Sequence, residues 1–136
     1  MGITQAGTPQ SISKTDLKDL APDVFRQRLL IEGFYGGQMT EARVREVLLA
    51  LAEALDLRTY AEPIVFQPAS GMGQEQNAGF DAFVPLIDSG ISGYFWTGPR
   101  FLSVVLYTCK GFDEAAAIAF TRDFFAIEGE TVTHAF

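Results

Sequence analysis

FDAFVPLIDSGISGYFWTGPRFLSVVLYTC, residues Phe80 to Cys109, holds three runs rich in β-branched and aromatic residues with two short breaks between them. Such residues suit a pleated, half-buried surface, so the runs predict strands at Phe80–Ile87, Ile91–Trp96 and Phe101–Thr108. The first break, Asp88-Ser89-Gly90, is hairpin chemistry, and Thr97-Gly98-Pro99 turns the chain again. Strands joined by turns this short run antiparallel, because a parallel return needs a crossover of a dozen residues or more.

The rest of the chain brackets this meander. Upstream, Gln27–Phe34 is an apolar run broken only by Glu32, and Gly36-Gly37 ends it. Thr40 then caps a helix with Glu41 in its first turn, and Val44, Val47, Leu48, Leu51, Ala52 and Leu55 repeat at helical spacing. Thr59–Phe66 reads as a further strand, with Pro63 placing it at an edge or bulge, and Pro68–Ala78 has only loop residues. Downstream, Asp113 caps a second helix whose stripe is Ala116, Ala117, Phe120, Phe124 and Phe125, and Thr131–Phe136 closes the chain as a short strand. Two helices on one face of a mostly antiparallel sheet make an α+β, two-layer sandwich. Residues 1–13 are small and polar and form an arm; Thr15–Leu20 makes a short helix stopped by Pro22; residues 14–136 form one domain.

At 136 residues, 48% hydrophobic and 20% charged, the chain has enough apolar material for a core. No secretory leader and no membrane-length apolar run stand in it, so the expected location is the cytoplasm. A net charge of −7 opposes nucleic-acid binding, which relies on Lys and Arg against phosphates. One cysteine and one histidine build neither an internal disulfide nor a zinc site.

Ser89 is the residue with chemical potential. A hydrolytic serine needs a base in reach, and the single histidine, His134, sits in the last strand with no motif around it. There is no Gly-x-Ser-x-Gly elbow, and neither glycine-rich segment matches a phosphate loop or dinucleotide fingerprint.

Ile87–Lys110, with the strand around Glu32, resembles the bacterial and archaeal S-adenosylmethionine decarboxylases. Those proteins cut themselves between an acidic residue and a serine, and the serine becomes a pyruvoyl group. Asp88-Ser89 matches the scissile pair, Trp96 falls at the family tryptophan, and Tyr107-Thr108-Cys109 falls at the cysteine strand end. Leu30–Gly36 looks like the first strand, whose glutamate, here Glu32, lines the substrate pocket; Phe66-Gln67-Pro68 and Gly79 look like the elements before the cleavage strand. The resemblance covers residues 26–136. It implies the decarboxylase sandwich, a pyruvoyl cofactor derived from Ser89 if the chain is processed, and a homodimer. It also implies a small-molecule ligand near Glu32, Phe66 and Trp96, catalytic roles for Asp88, Ser89, Tyr94 and Cys109, and a processing role for Asp81.

The departures change the expectation. Gly90 follows the serine where the family has histidine, Tyr94 stands for a second histidine, and Asp81 replaces a small hydroxyl residue. Self-cleavage needs an N→O acyl shift at the serine and then removal of its Cα proton. Imidazole, with a pKa near 6.5, exchanges that proton, whereas a phenol near 10 holds its own at neutral pH. Losing a general base costs about two to four orders of magnitude in rate. The sequence therefore predicts a divergent, poorly processed decarboxylase-like protein that keeps a small-molecule pocket. Two alternatives stay open: an active pyruvoyl-dependent decarboxylase in polyamine synthesis, and a non-catalytic partner of an active homologue. Each site residue also has a plainer role: Asp88-Ser89-Gly90 as a hairpin, Cys109 as a small buried hydrophobe, and Phe34, Phe66, Phe80 and Trp96 as core.

Overall fold

The computed structural model describes residues 18–68 and 72–136. In chain order the elements are β1 (Gln27–Phe34), α1 (Glu41–Ala54), β2 (Ile64–Phe66), β3 (Gly79–Leu86), β4 (Ser89–Trp96), β5 (Phe101–Thr108), α2 (Glu114–Phe124) and β6 (Thr131–Ala135). One six-stranded sheet has the order β2-β3-β4-β5-β1-β6, with every neighbouring pair antiparallel. Both helices lie on one face, which is the α+β sandwich expected of the pattern. The arm at residues 1–13 and the cap Thr15 lie outside the described residues, and Lys18–Leu20 are not helical.

Alternation along the strands decides which face is buried. Leu29 and Ile31 of β1, Val84 and Leu86 of β3, Ile91 and Phe95 of β4, and Leu102, Val104 and Leu106 of β5 point at the helices and are buried. Each such side chain contributes about 1.5–3 kcal/mol relative to exposure. α1 answers with Val44, Val47, Leu48, Leu51 and Ala52, and Thr40 starts it by accepting from the Arg43 N–H at 3.1 Å. In α2 the Asp113 carboxylate accepts from the Ala116 N–H at 3.1 Å. Only Ala117 and Thr121 of α2 are fully buried, and Thr121 donates to the Ala117 carbonyl at 2.8 Å. Phe125 follows the helix into the core against Phe95, while Phe120 and Phe124 remain half-buried. Arg43 ties the helices together: it donates to the Phe124 carbonyl at 2.8 Å and its guanidinium lies over the rings of Phe124 and Phe125.

Two further elements differ from the sequence reading. Of the strand expected at Thr59–Phe66, only Ile64–Phe66 pairs as β2, and Thr59 makes a lone bridge to Leu86. Pro63 brings no N–H to a ladder, and Tyr60 instead donates to the Pro85 carbonyl at 2.9 Å. The first hairpin turns at Ile87-Asp88, not at Asp88-Ser89-Gly90, because Leu86 pairs with Ser89 across a two-residue loop. Gly90 is needed for another reason: a Cβ there would stand 2.4 Å from the ring of Phe83.

The second sheet face carries no helix. Its strands present Phe34, Phe66, Phe83, Tyr94 and Tyr107, with exposures running from 38% at Tyr94 to 65% at Phe66.

Candidate functional site

The residues singled out in the sequence fall into two groups at different places on the sheet. The first group lies where β4 begins and β5 ends. Antiparallel pairing sets Ser89 opposite Thr108, so the residue after Thr108 comes alongside the hairpin. Ser89 Oγ lies 3.4 Å from Cys109 Sγ, close enough for either to donate to the other. The Cys109 backbone N–H donates to the Asp88 carbonyl at 2.8 Å. One residue thus holds both sides of the Asp88–Ser89 junction: its thiol touches the hydroxyl, and its amide polarises the carbonyl. Asp88 and Cys109 are exposed and Ser89 is half-buried, so Cys109 is not the buried hydrophobe of the plainer reading.

Ser89 also has φ +127°, a region an L residue rarely adopts and one that costs on the order of 1–3 kcal/mol. Two-residue hairpins usually carry positive φ in the loop itself, yet neither Ile87 nor Asp88 has it here, and it falls on Ser89 instead. Strain at this peptide, a hydroxyl beside it and an N–H on its carbonyl oxygen are the elements of an acyl shift. The N–H stands where negative charge would gather on the Asp88 oxygen during attack.

The second group forms a straight row across the helix-free face. Phe66 pairs with Asp81, Asp81 with Tyr94, Tyr94 with Ser103, Ser103 with Glu32, and Glu32 with Val132. Four strand spacings of about 4.8 Å put Phe66 and Glu32 about 19 Å apart, so they do not line one side of a small ligand within a single chain. Tyr94 is five residues along β4 from Ser89, about 16 Å at strand rise, which removes it from the hydroxyl of its own chain. Asp81 opens onto a cavity of about 740 Å³ that also meets Glu75, Asn77 and Thr97. Trp96 lies two residues beyond Tyr94, half-buried against Phe101, with its indole N–H donating to Asn77 at 3.3 Å. Glu32 is half-buried on this same face, next to Ser103.

His134 sits on edge strand β6, three strands from β4, stacked on Phe136. It offers Ser89 no base. Among the described residues no three His, Cys, Asp or Glu side chains are grouped to hold a metal ion, and no helix is long and apolar enough to cross a membrane. Sequence reasoning missed the Cys109 N–H on the Asp88 carbonyl, because a backbone donor leaves no mark in residue identity. The transverse row was readable in principle from strand parity, but only once the strand order was known.

Comparison with solved structures bears on this arrangement. A crystal structure of the adenosylmethionine decarboxylase from Aquifex aeolicus VF5 superposes with a TM-score of 0.64 at 18% identity, covering 83% of this chain and 89% of that one. The fold is adenosylmethionine decarboxylase-like. No family model matches the chain, and no curated protein matches it. In this decarboxylase-like sheet the Asp88–Ser89 junction occupies a hairpin at the sheet end, with Cys109 beside it.

Proposed function

We propose that this chain is a divergent S-adenosylmethionine decarboxylase-like protein that keeps a small-molecule pocket but processes itself inefficiently. The observation that carries the reading is the double engagement of the Asp88–Ser89 junction by Cys109. In the proposed step Ser89 Oγ attacks the Asp88 carbonyl carbon, the hydroxyl proton passes to the Ser89 nitrogen, and the C–N bond gives way to an ester. Loss of the Ser89 Cα proton then expels the Asp88 carboxylate, and hydrolysis of the remaining imine releases ammonia and leaves a pyruvoyl group. That group, where it forms, supplies an electron sink for decarboxylation. The half-buried, strained serine at the sheet end fits such a conversion.

The second stage is where this chain is weak. No imidazole is near Ser89, and Tyr94 of the same chain is about 16 Å away along the strand. Only a second copy can bring Tyr94 and Asp81 to the junction. We propose a homodimer through the helix-free face, where Phe34, Phe66 and Val132 are each more than half exposed. Even there a phenol replaces the imidazole, which lowers the rate by about two to four orders of magnitude.

Intact mass spectrometry tests the reading. One species of 14.9 kDa after prolonged incubation is expected. Fragments 1–88 and 89–136, the second with a blocked N-terminus, would instead make the chain an active, self-processing protein. Tyr94→His should accelerate cleavage; an unchanged mass in that variant would mean that the missing base is not the obstacle.

A further inference from the structure

We propose that a small polar cavity at the far end of β4 from Ser89 is an oxyanion-binding site with Arg100 as its charged ligand. The cavity, about 280 Å³, lies between the β1–α1 connection and the β4–β5 turn, with Tyr35, Gly37, Gln38, Gln67, Thr97 and Arg100 in its walls. It shares no residue with the Ser89–Cys109 junction, and the inference does not depend on the proposed function.

Charge is the first argument. The chain has 17 acidic residues against 10 basic ones, yet no carboxylate lines this cavity. Arg100 makes no side-chain hydrogen bond or ion pair among the described residues. A second guanidinium stands behind the wall: Arg43 Nη1 is 3.1 Å from the place a Cβ of Gly37 would take. Arg43 is held by carbonyls, those of Gln38 and Phe124, so no anionic group of the described protein neutralises it either.

The wall chemistry is the second argument. The carboxamides of Gln38 and Gln67 add neutral donors, and a guanidinium offers a planar fork that matches an oxyanion. Tyr35, buried, donates its hydroxyl to the Trp96 carbonyl at 2.9 Å. Burial pushes the Tyr35 phenol up from its ordinary value while Arg100 and Arg43 pull it down, so the field of both cations reaches this wall. The volume lies just below the range of about 300–1,000 Å³ usual for drug-sized ligands, so the occupant is a phosphate-sized group or a small carboxylate.

Trp96 is the only tryptophan, and its carbonyl holds the cavity wall, so its fluorescence reports on the site. The full chain is titrated with sodium phosphate and, separately, sodium acetate, at ionic strength held constant with sodium chloride; the Arg100 and Gly37 amide resonances are followed in parallel. A saturable response is expected, weakened at least tenfold in Arg100→Gln and partly kept in Arg100→Lys. Urea melts of both variants confirm the fold. A response to phosphate alone assigns a phosphoryl ligand, and a response to acetate alone assigns a carboxylate. No response beyond chloride, or equal binding by Arg100→Gln, overturns the site.

Discussion

Gly90→Ala puts a number on a contact that the sequence conceals. The new Cβ would stand 2.4 Å from Phe83 Cε1 and 2.5 Å from Cζ, where unstrained carbons keep about 3.5–4.0 Å. Gly90 is not among the glycines at positive φ, so its backbone accepts an L residue; the severe collision is with the ring, and the Val84 carbonyl oxygen stands at a tight 3.3 Å. Phe83 is 41% exposed and free to swing outward. That removes about 100 Å² of buried apolar area, or about 2.5 kcal/mol at 25 cal/mol per Å². Replacing glycine in a strand recovers about 0.5–1 kcal/mol of backbone entropy. The net loss is about 1.5–2 kcal/mol, read as a lower urea midpoint at unchanged m and a fall in Tm of about 4–8 °C. In a Phe83→Ala background the same change should cost nothing or stabilise slightly, a coupling of about 2 kcal/mol. If Gly90→Ala destabilises the Phe83→Ala protein equally, the ring is not the cause and the reasoning fails. The same coupling governs Gly90→His, the change toward the family pattern, which needs the space the ring holds.

Two further outcomes follow from close approaches and from burial. At Gly79 a Cβ would fall 1.7 Å from the Phe95 carbonyl oxygen, which is backbone and cannot step aside. Gly79→Ala should therefore cost more than about 3 kcal/mol, and a thermal melt near that of the parent would refute it. The Tyr35 phenol titrates above its ordinary value chiefly because it is buried. The folded state then holds this proton more tightly than the unfolded chain, so stability falls as pH rises above about 10. Tyr35→Phe should flatten that part of the pH–stability curve while losing about 1 kcal/mol at neutral pH for the missing hydrogen bond to Trp96. An unchanged alkaline slope would show that other groups set it.

The sequence made the architecture legible wherever periodicity and a cap agreed. The apolar spacing from Val44 to Leu55 behind Thr40, and the strands flanking Thr97-Gly98-Pro99, needed no tertiary information. The exceptions have local causes. Thr59–Pro63 has strand-like residues but no free ladder position beyond the Thr59 bridge, and the turn sits at Ile87-Asp88 because cross-strand pairing outranks glycine's turn preference. At the candidate site, the tight turn at Thr97-Gly98-Pro99 implied antiparallel pairing, but the meeting of Ser89 and Cys109 also needed β4 to begin at Ser89, two residues before the strand read from the sequence. The separation of Tyr94 from Ser89 was implied, since five residues of extended chain is a fixed distance. The sharing of one row by Asp81, Tyr94 and Glu32 was not, because it depends on β1 docking beside β5 across most of the sequence.

That placement of β1 also dictates an order of events. As the chain leaves the ribosome, β1 has no neighbour until Phe101–Thr108 has been made, and its other edge waits for Thr131–Ala135. The β3–β4–β5 meander needs only adjacent hairpins and closes first. β1 and the glutamate it bears dock only once β5 exists, whereas α1, which packs on β2, β3 and β4, has its partners earlier. Folding is therefore dominated by long-range closure, the slow regime for a domain of this size, and a chain cut before β6 leaves β1 as a bare sheet edge open to a stranger's strand.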